Sequence, residues 1–266
     1  MGGVVMLFEE ERQQKIADYV QVKERASVQE LAQHFQVSES TVRRDLKILE
    51  EEGKLRRTHG GAVAFVSDNS EPTFVEKEDR YRLQKELIAK EAASMVREGD
   101  SIILDSGTTT YYLAKELKTF KKLTVVTNSV AVAQELSANT GIDLILTGGT
   151  LRHETLAMVG PLAEKALETV HVDKAFVAIN GLDPVIGLTT PNMLEASTKR
   201  AFFRSTKQVI LLMDHSKYGR VSFAKVAALS EIDQLLTDDG ISDNALKELD
   251  TAGVTVTVVQ TGGRKS

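Results

Sequence analysis

The sequence predicts an α/β protein in two parts: a small helical N-terminal domain closed by a β-hairpin, and a larger domain on a mainly parallel sheet. Three observations carry this. The chain has 266 residues, more than the roughly 100–200 of one typical domain. Before residue 65, apolar residues recur at helical spacing in three successive segments. From residue 83 onward, short continuously apolar runs alternate with amphipathic ones, the pattern of strands buried on both faces between helices.

Composition narrows the function classes. Hydrophobic residues make up 42% and charged residues 27%, ordinary for a globular protein. No apolar run approaches the ~20 residues of a membrane span, and the early Glu9, Glu10 and Glu11 do not suit a secretory signal. A cytoplasmic chain without a membrane partner is expected. The absence of cysteine removes disulfides, thiolate zinc sites and cysteine nucleophiles. His34, His59, His153, His171 and His215 show no HxxxH or HxH spacing, so no metal or cofactor is expected. A net charge of −5 argues against nucleic acid unless the cations are gathered on one surface.

They are gathered. The first helix is expected over residues 10–22, with Ile16, Tyr19 and Val20 on one face. Ser27 with Glu30 three residues on is a capping-box signature. Val28, Leu31, Ala32 and Phe35 then form the inner stripe of a second helix. Ser38 is a good N-cap for a third helix running to about residue 52, with Val42, Leu46 and Leu49 inward and Gly53 as its stop. Ser40, Arg43, Arg44 and Lys47 fall on nearly the opposite face. Two short helices and a tight turn at about residues 25–44 present the second of the pair to a major groove. The hydroxyls of Ser38, Ser40 and Thr41 and the guanidinium forks of Arg43 and Arg44 suit base edges and phosphates. Residues 54–63 read as a basic hairpin with a Gly-Gly turn. Arg56, Arg57 and His59 there are candidates for phosphate or minor-groove contact. Glu50, Glu51 and Glu52 are read as a solvated face pointing away from DNA.

Together these features define a winged helix-turn-helix over residues 8–65. The string SVQELAQHFQVSESTVRRDLKILEEEGKLRRTHGGAV resembles the N-terminal domain of the DeoR family of bacterial transcription regulators. Its STVRRDL and RTHGGA segments carry the likeness.

Residues 66–80 hold Ser, Asp, Asn and Pro with few apolar groups and read as a linker. The larger domain is expected over residues 81–260. It opens with a helix at 83–97, stopped by Gly99. Strands follow at 101–105, 123–127, 142–147, 174–179, 208–213, 234–237 and 255–259. Helices are placed at 109–117, 130–137, 162–170, 194–205 and 244–252. In such sheets ligands bind beyond the carboxyl ends of the strands. Three successive strand ends are alike: Ser106-Gly107-Thr108-Thr109-Thr110, Asn128-Ser129 after Thr127, and Gly148-Gly149-Thr150. Hydroxyls, small residues and helix N-termini at one edge suit an anion. Neither a Walker A nor a GxGxxG spacing is present. Arg152 and Arg220 fit either an anion or solvent, His153 and His171 the surface or packing, and Phe202 and Phe203 the core or a subunit contact.

The resemblance continues here through LDSGTTT, VTNS, LTGG, GL-T-PN-EA and DHSKYG. It implies an effector domain similar in fold to ribose-5-phosphate isomerase, glucosamine-6-phosphate deaminase and CoA transferases, binding a phosphorylated sugar. On that implication Ser106, Gly107, Thr108, Thr109 and Thr110 face the phosphate, and Thr127, Asn128, Ser129, Gly148 and Gly149 line the pocket. Asp105, Asn180, Glu195 and Lys217 take sugar hydroxyls or the phosphate. The expected protein is a non-enzymatic repressor of carbohydrate utilisation, a homodimer or homotetramer on double-stranded operator DNA, released by its sugar phosphate. The alternative is a sugar-phosphate isomerase or deaminase with an accessory DNA-binding domain, its acid–base groups drawn from Asp105, Glu195 and Lys217.

Overall fold

A computed structural model describes residues 9–23, 25–52, 54–58, 60–64 and 71–262. The chain divides into two compact units, Met1–Ser70 and Glu71–Ser266.

The first unit comprises helices α1 (Glu9–Lys23), α2 (Val28–Phe35) and α3 (Glu39–Glu51), with strands β1 (Arg25–Ser27), β2 (Leu55–Thr58) and β3 (Gly61–Ala64). Ser27 accepts from Glu30 N–H and Ser38 from Thr41 N–H, as their N-cap roles predict. Ile16, Val20, Val28, Leu31, Val42, Leu46, Leu49 and Leu55 share one core. Under it, buried Asp45 holds α3 to α1 through Arg12 Nε at 2.7 Å and Gln13 Nε2 at 3.2 Å. The hairpin differs from expectation. Gly61 is not in the turn but pairs with Thr58 on one side and Ser27 on the other. A Cβ there would stand 2.1 Å from the Ala26 carbonyl oxygen, so the third strand β1 is what requires the glycine. Gly53 and His59 lie outside the described residues.

The second unit starts with α4 (Phe74–Asp79) and α5 (Arg82–Ser94). Then come β4 (Ser101–Leu104), α6 (Thr108–Glu116), β5 (Leu123–Thr127), α7 (Val130–Leu136) and β6 (Ile142–Leu146). The hairpin β7 (Thr150–Arg152) and β8 (Ala157–Val159) leads to α8 (Pro161–Leu167) and β9 (Val172–Ala178). Next are β10 (Gly181–Asp183), β11 (Gly187–Thr190), α9 (Met193–Arg204), β12 (Thr206–Leu212) and a 3-10 turn at His215–Lys217. The last elements are β13 (Ala224–Ala227), β14 (Gln234–Asp238), α10 (Asp243–Thr251) and β15 (Thr255–Val259). Seven strands form one sheet in the order β15-β14-β12-β9-β4-β5-β6, and every neighbouring pair is parallel. Chain order runs outward in both directions from β4 and β9, which makes their carboxyl ends the switch point where such sheets form ligand crevices. Ile88, Ala92, Leu113 and Val132 cover one face and Leu167, Ala201 and Phe202 the other. Phe202 and Phe203 are thereby core residues.

Three features depart from the sequence reading. Residues 71–80, expected as linker, belong to the larger unit: α4 is closed by a capping box between Thr73 and Glu76, and Phe74 is buried. The short strands β7 and β8 pair as a hairpin. Strands β10, β11 and β13 form a separate antiparallel sheet.

Candidate nucleic-acid interface and ligand site

On α3, Ser40, Arg43, Arg44 and Lys47 are exposed while Val42, Asp45 and Leu46 are buried. One cationic face is thus offered to solvent with its opposite face locked into the core. The Ser38 hydroxyl lies 2.8 Å from those of Ser40 and Thr41, which leaves a cluster of rotatable donors at the helix start. Among the described residues the Arg43 side chain meets only Glu39, at 3.2 Å, and that of Lys47 only Glu51, at 3.8 Å, both solvent-exposed pairs that contribute little. The Arg44 guanidinium makes no hydrogen bond or ion pair among the described residues. Arg57 is exposed on β2, and its backbone N–H donates to Glu50 Oε1 at 2.8 Å. Glu50 therefore is not simply solvated: it clips the hairpin to the end of α3. Arg56 is placed on β2 by its backbone.

In the larger unit the switch point is pinned by an ion pair that the sequence reading missed. Lys199 on α9 donates to Asp105 Oδ2, and to the Ala178 carbonyl at 3.0 Å. Asp105 also accepts from Ser106 N–H at 2.7 Å and Ala178 N–H at 3.0 Å. Both side chains are buried. Asp105, expected to meet the ligand, is instead spent on tying the ends of β4 and β9 together. Thr110 is likewise turned inward, onto Asp105 O at 2.6 Å and Gly107 O at 2.9 Å. Thr127 donates to Leu104 O at 2.6 Å, and Ser129 caps α7. Gly148 and Gly149 turn the chain at φ 68° and 122° into the hairpin, and a Cβ on Gly149 would stand 2.7 Å from Val159 O. The side chains of Thr110, Thr127 and Ser129 are thus engaged with the protein's own backbone, and the two glycines shape the turn after β6.

Other candidates stay available. Gly107 is the N-cap of α6 and brings no side chain to it, so the first-turn N–H groups have no cap. A Cβ there would stand 2.6 Å from Ala178 Cβ, which is why the loop can press against β9. The Thr108 and Thr109 hydroxyls make no hydrogen bond among the described residues. Asn128 donates to Ser106 Oγ at 3.4 Å and Met158 O at 3.2 Å, while its buried Oδ1 has no partner among the described residues. Lys217 is half-buried, and its ammonium has no hydrogen bond or contact ion pair among the described residues either. Burial pushes its ammonium pKa down; Asp214 opposes this, and Arg220, Lys77 and Arg80 add to it. Lys85, 4% exposed, donates to the Lys77 carbonyl. Burial pushes its pKa down to about 8, against the attraction of Asp214. Excess positive charge therefore collects where β12 ends.

Glu195 and Asn180 belong to one buried network. Glu195 accepts from Arg152 Nη1 at 2.7 Å, Thr155 Oγ1 at 2.5 Å and Thr190 Oγ1 at 3.2 Å. Asn180 accepts from Thr190 at 2.9 Å and donates to Glu71 Oε1 at 3.3 Å. Arg152 is thus an anion partner, the anion being protein. His153 and His171 are exposed. No cluster of three or more metal-ligating side chains occurs among the described residues, and no described helix is long and apolar enough to cross a membrane.

A three-helix core with a basic hairpin wing, followed by a ligand crevice in an α/β unit, defines a DNA-binding transcription regulator with a sensor domain. Residues 12–68 match the DeoR-like helix-turn-helix domain and residues 81–239 the DeoR C terminal sensor domain. The chain belongs to the DeoR family. It is 43% identical to the HTH-type transcriptional regulator YulB of Bacillus subtilis over 94% of this chain and 96% of that protein. It is 40% identical to the regulator GlpR of Haloferax volcanii, over 92% and 96%. Identity to the HTH-type transcriptional repressor GlcR of Bacillus subtilis is 35%, over 96% and 98%. A ribose 5-phosphate isomerase of Methanocaldococcus jannaschii is similar over 53% of this chain and 55% of that one, at 18% identity and a TM-score of 0.39.

Proposed function

We propose that this regulator is a repressor of a carbohydrate-utilisation operon, released from its operator by a phosphorylated sugar bound at the switch-point crevice. The observation that carries this reading is the pairing of an uncapped α6 N-terminus with a half-buried lysine that has no contact carboxylate. Free N–H groups and the Thr108 and Thr109 hydroxyls await an oxyanion, and among the described residues the Lys217 ammonium has no hydrogen-bond or ion-pair partner. A phosphoryl group satisfies both. The orphan Asn128 Oδ1 and the Ser106 hydroxyl beside it suit sugar hydroxyls, because a buried acceptor without a donor costs about 1–3 kcal/mol until one arrives.

DNA contact is assigned to Ser38, Ser40, Thr41, Arg43, Arg44 and Lys47 on the recognition helix and to Arg56, Arg57 and His59 on the wing. A homodimer or homotetramer would match paired half-sites. Of the acid–base candidates Asp105, Glu195 and Lys217, the two carboxylates are committed to the cations Lys199 and Arg152, which supports a sensing role over catalysis. The test is a thermal-shift screen of phosphorylated sugars on the full chain, since a ligand specific to the native state raises its stability by mass action. Hits then enter a gel-shift titration with the operator. The reading requires a hit that stabilises the protein and releases DNA; turnover of the hit at an ordinary enzyme rate would refute it.

A further inference from the structure

Glu71 is the first residue of the second unit, so the tether from the DNA-binding unit attaches at this residue. Its side chain is only 5% exposed, although its neighbours in sequence suggested a solvated linker. The carboxylate accepts from Lys77 Nζ at 2.7 Å, Arg152 Nη1 at 3.0 Å and Asn180 Nδ2 at 3.3 Å. Burial pushes its pKa up, but Lys77 and Arg152 outweigh this and hold it below the usual carboxylate range. Residues 71–81 form a strap across the crevice. The Phe74 ring stands edge-on to Tyr111 of α6, and its N–H donates to Glu154 O at 2.6 Å. Tyr81 stacks edge-on against His215, beyond β12. The strap therefore touches helix α6, which follows β4, and segments just past the carboxyl ends of β9 and β12.

We propose that Lys77, Arg152 and Asn180 form a second oxyanion subsite of the sensor, distinct from the α6 N-terminus, occupied in the unliganded protein by the chain's own Glu71 and surrendered to a further anionic group of the effector or to free phosphate. Two cations and an amide donor converging on two carboxylate oxygens form the donor set that also receives two oxygens of a phosphate monoester. The inference rests on the sensor taking a phosphorylated ligand, and adds how that ligand is read. An effector shifts a conformational equilibrium only by its differential affinity for the two states. Here the difference is direct, because the seat is vacant only after Glu71 has left. Its departure releases the strap at the residue that carries the tether to the DNA-binding unit.

The experiment uses the full chain and inorganic phosphate as probe. Glu71→Gln, which keeps the shape and removes the charge, is expected to bind phosphate about tenfold more tightly by calorimetry, one unit charge of competition being on the order of 1.4 kcal/mol. Glu154→Gln is the control: its carboxylate is exposed and 3.6 Å from Arg152, so it removes an equal charge without vacating the seat, and less than a twofold change is expected. Phosphate is also expected to speed chymotryptic cleavage of the wild-type strap after Phe74, which is buried between Glu71 and Lys77. Equal gains from both variants, no gain from Glu71→Gln, or a cleavage rate indifferent to phosphate overturns the proposal. Phosphorylated sugars are titrated in parallel. If phosphate behaves as expected but no sugar phosphate binds better than phosphate alone, the repressor's sugar-phosphate reading fails and the displacement stands. If sugar phosphates release DNA while Glu71→Gln changes nothing, the reverse holds.

Discussion

Lys199→Met is the perturbation that most directly tests how the switch point is held. Lys199 and Asp105 are both buried, 3% and 0% exposed, and Asp105 accepts from four donors, one of them this ammonium. Methionine fills most of the volume but leaves a buried carboxylate with two backbone N–H groups, the Ser106 hydroxyl and no counter-charge. Removing one partner of a buried pair typically costs about 3–5 kcal/mol, because the remaining ion stays desolvated. For a unit of this size each kcal/mol shifts Tm by roughly 2–4 °C, so the sensor unit should melt about 10 °C lower. Adding Asp105→Asn removes the stranded charge, and the amide oxygen can still accept from one of the two backbone N–H groups, which sit on different carboxylate oxygens. The double variant should therefore recover roughly 2 kcal/mol or more over Lys199→Met alone. The chain has no tryptophan, so thermal and urea transitions are followed by circular dichroism, with calorimetry to separate the two units. A loss below about 1 kcal/mol, or a double variant no better than the single, would refute the assignment of this pair as the pin between β4 and β9.

Further outcomes are expected at other positions. Arg44→Ala should cut operator affinity by about 1–3 kcal/mol and Arg43→Ala should also weaken it, both in gel shifts over a salt series, with sugar-phosphate stabilisation unchanged. Thr108→Ala combined with Thr109→Ala should leave DNA bound and deaf to the effector; variants that lose both properties together would sink the two-site division. Gly61→Ala places a Cβ 2.1 Å from Ala26 O, so it should unfold the wing and abolish DNA binding while the sensor still responds to ligand in thermal shift. Lys85 has its folded pKa lowered to about 8, against 10.5 for an unperturbed lysine, so its contribution to stability is present above the unfolded pKa and lost as pH falls through about 8. Lys85→Met should accordingly gain up to about 3 kcal/mol at pH 7, and the gain should shrink by pH 9.5 in urea titrations; a gap constant with pH would show that burial does not perturb this lysine.

The parts legible in the sequence are those specified locally. Helices α2 and α3 announce themselves through Ser27, Glu30 and Ser38 and through apolar stripes, and the seven sheet strands through runs such as those at 101–104 and 208–212. The parts that were not legible depend on distant partners. Strands β1, β7, β8 and β10 have three residues each, too few for alternation to register, and exist because a neighbour pairs with them. Asp105 looked like a ligand group because its strand end resembled two others; only Lys199, 94 positions away, shows that it is spoken for. Two signals were nevertheless present. Lys199 follows Glu195 by one helical turn, and Lys85 shares the apolar stripe of Ile88, Ala89 and Ala92, where a lysine has no business unless the fold uses its charge. Glu71 carried no comparable signal, since polar residues between two domains usually mean solvent.

The topology of the two units also sets an order of events. Every pairing in the first unit joins residues between 25 and 64, whereas β4 must wait for β9, and residues 102–104 pair with 174–176. Long-range parallel pairing is slow because the intervening chain must first be closed into a loop, and domains emerge from synthesis N-terminus first. The half that reads DNA should thus be finished while the half that hears the metabolite is still unformed. An interrupted translation product would be left able to grip DNA with nothing attached to make it let go.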